Sequence, residues 1–287
     1  MSLKIQPLRP DFGAEITGVD ITTELSEAAF LPIRRALDDY GLLFFPAQLM
    51  DDDRQVAFSE LFGPLERTVS TNPAGGTAFA RQSNIDIATG EKIPMDDPRM
   101  AYQKGNYLWH ADSTFKTVPS LCSLLSAREV PPEGGATELV STAAAYDALD
   151  PATQARIEGL VVEHDFGYSR SRTDFQLSAE QKAEMPAARH RLVQVNPVTG
   201  RKSLMIGAHA KQIVGWTVED SQELLDALLA GATEAAAVYR HEWRTGDILI
   251  WDNRSTLHRA TPYDAGRHRR VMQRTTVSNP EAEVLSA

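Results

Sequence analysis

The stretch NYLWHADSTF, residues 106–115, puts a histidine and an aspartate two positions apart among aromatic residues. Imidazole nitrogens and carboxylate oxygens are both ligands for divalent first-row metals. On a strand, side chains alternate faces with period two, so His110 and Asp112 would converge on one point. Two ligands make a weak site, and His258 in WDNRSTLHRA is the best candidate for a third. Two histidines and one carboxylate on one face leave coordination positions open, which is the donor set of non-haem Fe(II) oxygenases. Singly, neither signal is specific. With 7 histidines in the chain, an H-x-D triplet arises by chance about once in two sequences of this length. A lone histidine is more often a structural residue than a ligand.

A second constellation lies in RRVMQRTTV, residues 269–277. Arg270 and Arg274 are four apart on an expected strand, with Met272 between them on the same face. Guanidiniums that point inward need anionic partners, because an unpaired buried charge is very costly. The arginine fork matches a carboxylate in two-point geometry. Beside a metal with open positions, such a fork suits a bidentate keto-acid co-substrate. The competing reading, that the arginines form surface or intrachain ion pairs, stays open on these residues alone.

The elements that must position these groups are mostly strands. LCSLLSA, ATELV, LVVEHDF, RLVQVN, KSLMIGA, AVYRHEW, DILIWDN and RRVMQRTTV are short, aliphatic or β-branched, and bounded by Gly, Pro, Asn and Asp. Most follow residue 105, and no regular βαβ alternation is present. The pattern predicts a mainly β fold, an antiparallel barrel or sandwich, with helices packed outside it. Helices are expected from Ser26 to Gly41, with Pro32 able to shorten it, over 51–62, as two short pieces within 142–160, and over 217–231 with Thr217 as cap. LLFFP reads as a buried strand. Residues 70–106 are polar and rich in breakers, and read as long loops with one short strand, the kind of segment that forms a lid or binding loop.

The chain of 287 residues can bury a sizeable core, and 42% hydrophobic with 24% charged residues is ordinary for a soluble globular protein. A net charge of −10 argues against nucleic acid as a partner. The single cysteine, Cys122, excludes an intrachain disulfide and a cysteine metal cluster, and reads as a small buried residue. The N-terminus lacks a signal-peptide core, and no stretch approaches the roughly 20 apolar residues of a membrane span. A cytoplasmic protein without a membrane partner is expected.

LWHADSTF, PPEGGATEL, GDILIWDNRSTLHRA and RRVMQRTTV, in this order, resemble the taurine dioxygenase family of Fe(II)- and 2-oxoglutarate-dependent dioxygenases. Within it the sequence is most similar to the members that oxidise 2,4-dichlorophenoxyacetate. That likeness extends through AAYDAL, EGL and RKSLMIGAHA, and back to GAEITGVDI and FSELFGPLE, so it covers nearly the whole chain. It implies one catalytic domain over residues 1–287 with a double-stranded β-helix, or cupin-like jelly-roll, core. His110, Asp112 and His258 would be the iron ligands. Thr137 and Arg270 would hold 2-oxoglutarate, Arg270 taking its distal carboxylate. Arg274 would lie near the co-substrate's other end or near the substrate's anionic group, and Trp251 would wall the pocket. Asn106 and Ser113 match positions that face substrate. His209 follows an expected strand and reads either as a pocket residue or as a structural histidine. The implied reaction consumes O2 and 2-oxoglutarate and hydroxylates an aryloxyalkanoate, a phenoxyacetate or phenoxypropionate, to give a phenol and an oxo-acid plus succinate and CO2. The same chemistry on taurine, another sulfonate or another small carboxylate is the alternative, and a non-catalytic jelly-roll binding protein is the alternative of another class. A small anionic substrate and a homo-oligomer are expected. The spacing from His258 to Arg270 is one residue longer than the family pattern. The extra residue falls in the turn YDAGRH, which makes Arg269 a rival for the carboxylate role. A basic residue expected near the start of the long loop is replaced by the neutral TVSTNP. Arg81, Lys92 and Lys104 could supply positive charge there but read as solvated loop residues.

Overall fold

Strand alternation and two amphipathic helices determine the layers. In the strand Ile248–Asp252, Leu249 and Trp251 point to one side and Ile248 and Ile250 to the other. Both faces are apolar, so the sheet containing this strand must be covered twice. The computed structural model describes residues 2–68, 76–86, 89–173, 175 and 177–285. The neutral TVSTNP stretch therefore lies, beyond Thr68, outside the described residues.

The main sheet has seven strands in the order β1 (Lys4–Pro7), β2 (Ala14–Thr17), β3 (Leu42–Phe45), β13 (Ile248–Asp252), β5 (Ser120–Glu129), β15 (Val271–Ser278), β4 (Phe79–Ser83). All neighbours are antiparallel except β2 and β3. A three-stranded sheet, β12 (Tyr239–His241), β6 (Thr137–Ser141), β14 (Thr256–Ala260), lies against it. Leu42, Leu125, Leu139, Leu249, Trp251 and Met272 fill the space between the two. This is the two-sheet jelly roll, mainly β with helices outside. Strands β11 (Ala210–Ile213), β7 (Val161–His164) and β8 (Ala188–Arg191) form a further sheet, and β10 (Lys202–Leu204) pairs β9 (Val193–Val195).

The outer face of the main sheet is closed by α1 (Glu27–Tyr40) and α2 (Asp52–Glu60). Ser26 and Asp51 cap them through side-chain oxygens that accept from Ala29 and Arg54. Pro32 does not shorten α1. An interior proline costs about 3 kcal/mol, and burying the Phe30, Ile33 and Leu37 side chains at roughly 1.5–3 kcal/mol each outweighs it. Cys122 is buried in this layer, as expected, and burial pushes its thiol pKa up.

Helices α4 (Thr142–Asp147) and α5 (Pro151–Ile157) break before Pro151 as predicted. With α8 (Val218–Ala232), capped by Thr217, α4 packs its apolar face inward on the smaller sheets. The 70–106 segment is more structured than expected, carrying β4 and α3 (Pro98–Gln103), followed by a 3-10 turn over Lys104–Tyr107. Two further helices, α6 (Phe166–Ser171) and α7 (Ala179–Glu184), follow β7.

Candidate active site

His258 sits on β14, where Leu257 turns out into the helical layer and His258 turns into the jelly roll. Its ring lies 4.4 Å from the fully buried Trp251 ring. His110 is not on a strand, which corrects the period-two argument. It forms a single bridge to β14, in which the backbone N–H groups of His110 and His258 donate to each other's carbonyls at 3.0 and 2.9 Å. The chain then turns, and Asp112 is part of that turn. Ser113, next in line, takes a left-handed conformation (φ 55°) that non-glycine residues seldom adopt. The two side chains still converge, because a bridge followed by a tight turn aims them at the same point.

His110, Asp112 and His258 offer ligand atoms that lie within 4.8 Å of one another, and all three are buried. His110 Nε2 is 3.9 Å from Asp112 Oδ1, and His258 Nε2 is 3.7 Å from Oδ2. Leu108 O lies 2.7 Å from His110 Nδ1, and an N–H donated there leaves Nε2 with its lone pair facing the cluster. Ser123 Oγ donates to Asp112 Oδ2 at 2.7 Å, and Asn253 Oδ1 accepts from the Asp112 backbone N–H at 3.1 Å and from Trp251 Nε1 at 3.0 Å. Burial opposes ionisation of Asp112, but Arg274, the two histidines and Ser123 outweigh it and hold the carboxyl well below its usual range. Burial pushes His258 well below the usual histidine range, and the neighbouring His110 and Arg274 add to this. Both histidines are thus neutral donors beside an ionised carboxylate. The ring nitrogens of His258 are buried with no hydrogen-bond partner. An unpartnered buried donor or acceptor is costly, and a divalent metal would relieve that cost at Nε2, the nitrogen facing Asp112, so the residues present fit Fe(II).

Arg270 and Arg269 have separated roles. Arg269 is exposed and bonds the Glu129 carboxylate at 3.0 Å. Arg270 is 4% exposed, donates to the Gln82 and Gly135 carbonyls at 3.3 and 3.2 Å, and has no carboxylate within ion-pair distance among the described residues. It just precedes β15, beside a register irregularity with β5. Gly135 (φ 67°) makes room for it, since a Cβ there would lie 3.1 Å from Arg270 Nε. Arg274, on β15, comes within 2.6 Å of Asp112 Oδ1.

Thr137 is buried on β6 and its Oγ1 accepts from Trp243 Nε1 at 3.0 Å. That leaves the hydroxyl proton available to an acceptor. Trp251 stands beside His258, with its ring tilted against the imidazole. It is fully buried, and its indole N–H is already committed to Asn253. Asn106, Ser113 and His209 all line the cavity next to His110 and Asp112. His209 is buried 5.0 Å from the Phe115 ring, and its Nδ1 is 3.3 Å from Thr114 Oγ1. Ser113 donates to Glu66, which also pairs Lys116, both at 2.6 Å. Arg81, on β4, lines the cavity as well.

Sequence reasoning passed over Ser123, Asn253, Tyr102 and Arg170. The first two brace Asp112 and are marked only by lying in aliphatic strand segments, where polar residues need partners. Tyr102 and Arg170 line the cavity from the short helices α3 and α6, which no periodicity revealed.

The family described as taurine catabolism dioxygenase TauD, TfdA family matches this chain over residues 4–276. An (S)-phenoxypropionate/alpha-ketoglutarate dioxygenase of Sphingobium herbicidovorans is 37% identical, over 99% of this chain and 98% of that protein. An alpha-ketoglutarate-dependent 2,4-dichlorophenoxyacetate dioxygenase of Cupriavidus pinatubonensis is also 37% identical, over 97% of this chain and 99% of that protein. Among solved structures, AAD-2 in complex with Mn(II) and N-oxalylglycine superposes with a TM-score of 0.92 at 36% identity, each chain fully covered. The donor set, the buried guanidinium and the jelly roll agree with these likenesses: the chain belongs to the taurine catabolism dioxygenase TauD, TfdA family and is an Fe(II)- and 2-oxoglutarate-dependent dioxygenase.

Proposed function

We propose that this enzyme hydroxylates an aryloxyalkanoate, 2,4-dichlorophenoxyacetate or a phenoxypropionate, at the carbon beside the ether oxygen. The resulting hemiacetal collapses to a phenol and an oxo-acid, with succinate and CO2 formed from 2-oxoglutarate. The observation that carries the reading is the buried, unpartnered His258 converging with His110 and Asp112. The names of the relatives at 37% identity supply the substrate class.

In this reading His110, Asp112 and His258 hold the iron. Bound Fe(II) with 2-oxoglutarate supplies the O2-dependent oxidation of a C–H bond. The protein fixes positions and keeps water out. Arg270 takes the distal carboxylate of 2-oxoglutarate in its fork, and Thr137 donates its hydroxyl proton to the same molecule. Arg274 pairs with Asp112 and stands near the co-substrate's other end. Ser123 and Asn253 keep the Asp112 carboxylate turned toward the histidines. Asn106, Ser113 and His209 face the substrate. Residues 1–287 act as one dioxygenase domain, with 70–106 contributing Arg81, Tyr102 and Asn106 to the cavity wall. The enzyme works in the cytoplasm as a homo-oligomer on a small anionic substrate, with no nucleic-acid or membrane partner.

Anaerobic addition of Fe(II) and 2-oxoglutarate should produce a visible metal-to-ligand charge-transfer band, and succinate release should then rank 2,4-dichlorophenoxyacetate and phenoxypropionates above taurine. Preference for taurine would replace the substrate and keep the chemistry. A folded protein that forms no band would overturn both.

A further inference from the structure

Arg170 on α6 enters the cavity that also holds His110, Asp112 and Arg274, yet none of the roles above uses it. It is 8% exposed, and no carboxylate lies within ion-pair distance of its guanidinium among the described residues. The cation sits 4.6 Å from the Phe166 ring and 4.7 Å from the Tyr102 ring. Its hydrogen bond to the Tyr102 carbonyl is long, at 3.4 Å, and its Nε is buried with no partner. Of the other cations around the cavity, Lys116 pairs with Glu66 at 2.6 Å, Arg274 with Asp112 at 2.6 Å and Arg81 with Asp52 at 3.9 Å, while Arg67 is exposed and donates to the Gly76 carbonyl at 2.8 Å. A buried charge held only by two ring faces and one weak hydrogen bond is an expensive thing to keep without a ligand.

The surroundings make room for that charge. Gly105 lies in the 3-10 turn of Lys104–Tyr107 and is not among the glycines with positive φ, so its backbone does not require glycine. A Cβ at this position would lie 1.2 Å from Arg170 Nη1 and 2.5 Å from its Cζ. The missing side chain is the space the guanidinium occupies.

We propose that Arg170 receives the anionic group of the substrate, while the rings of Tyr102, Phe115 and Phe166 form the wall for its apolar body. The site therefore selects carboxylates carried on a flat apolar group over their neutral esters. This rests on the dioxygenase reading above and adds to it the residue that recognises the substrate's charge. Arg274 is engaged beside the metal carboxylate, and Arg270 does not line this cavity. The substrate anion and the distal carboxylate of 2-oxoglutarate thus go to different cations.

The test is calorimetric binding of 2,4-dichlorophenoxyacetate and (S)-2-phenoxypropionate to the Fe(II)- and 2-oxoglutarate-loaded protein without O2. Arg170→Gln should raise the Kd of both acids about 10- to 100-fold, the loss of a charge-assisted hydrogen bond. The Kd of 2-oxoglutarate should stay within about twofold, as charges at separate sites couple weakly. Gly105→Ala keeps the charge but displaces it, so it should raise the acids' Kd in the same direction, which guards against a misfolded Arg170 variant. Wild type should bind the methyl ester of 2,4-dichlorophenoxyacetate far more weakly than the acid, and Arg170→Gln should remove that discrimination. Unchanged acid binding in both variants, an equal loss of 2-oxoglutarate binding, or failure of wild type to bind either acid would overturn the proposal. The charge-transfer band is read separately: its absence from wild type defeats the dioxygenase reading, whereas its presence with an unaltered Arg170→Gln Kd defeats only the role of Arg170.

Discussion

His258 and Asp112 are held from several directions, whereas Arg170 and Asn106 rest on short helical segments. On the sheet side, β14 carries His258, the backbone bridge fixes His110 beside it, and Ser123 and Asn253 hold Asp112. On the helical side, α3 and α6 have 6 residues each and present ring faces, and the 3-10 turn after α3 leaves the gap at Gly105. The difference separates two tasks. Metal chemistry needs ligands fixed to fractions of an ångström, so His258 stands on a paired strand and His110 is bridged to it. Substrate choice tolerates adjustment and sits where sequence can change without disturbing the sheets.

The largest effect should come from breaking the sheet side. His258→Ala should remove the charge-transfer band and lower turnover by more than about 1,000-fold, read as succinate release, since two remaining donors do not make a facial triad. Arg270→Gln should raise the Kd of 2-oxoglutarate about 100-fold in anaerobic titration, with iron binding retained. Ser123→Ala should weaken Fe(II) binding about 10-fold, because it frees the Asp112 carboxylate to rotate. On the helical side Asn106→Ala should change KM for the acid by only about threefold and leave the band alone, as a half-buried polar contact is worth about 1 kcal/mol or less. A larger effect of Asn106→Ala than of Ser123→Ala would reverse the division of labour.

A further expected outcome concerns acid stability. His164 is buried away from solvent, with neither ring nitrogen hydrogen-bonded, and burial holds its pKa well below the ordinary 6.5, the neighbouring His190 lowering it further. The unfolded chain takes up a proton as pH falls through about 6.5, and the folded chain does not. Stability is therefore full above that pH and lost below it, by about 1.4 kcal/mol per pH unit for each such histidine. His110, His190, His209 and His258 are shifted in the same direction. The metal-free protein should show a Tm that drops steeply from pH 7 to 5, and His164→Gln should make that slope shallower.

Side-chain type and spacing pointed to His110, Asp112, His258 and Arg270, and structure places the first three together. Convergence of His110 and Asp112 comes from a bridge and a turn, which strand periodicity does not represent. The strand β14 carrying His258 went unread because TLHRA is short and polar at its centre. Arg170 and Gly105 could not be found this way. An arginine in a six-residue helix looks solvated until the fold closes over it, and a glycine's missing atom has meaning only beside the group that fills the space.

The bridge between His110 and His258 joins positions about half the chain apart. Contacts at such separation form late, after the entropy of closing the intervening loop has been met. A nascent chain that ends between Asp112 and β14 therefore carries two of the donors but no chelating trio. The full ligand set therefore exists only once the strand that bears His258 has been made and paired.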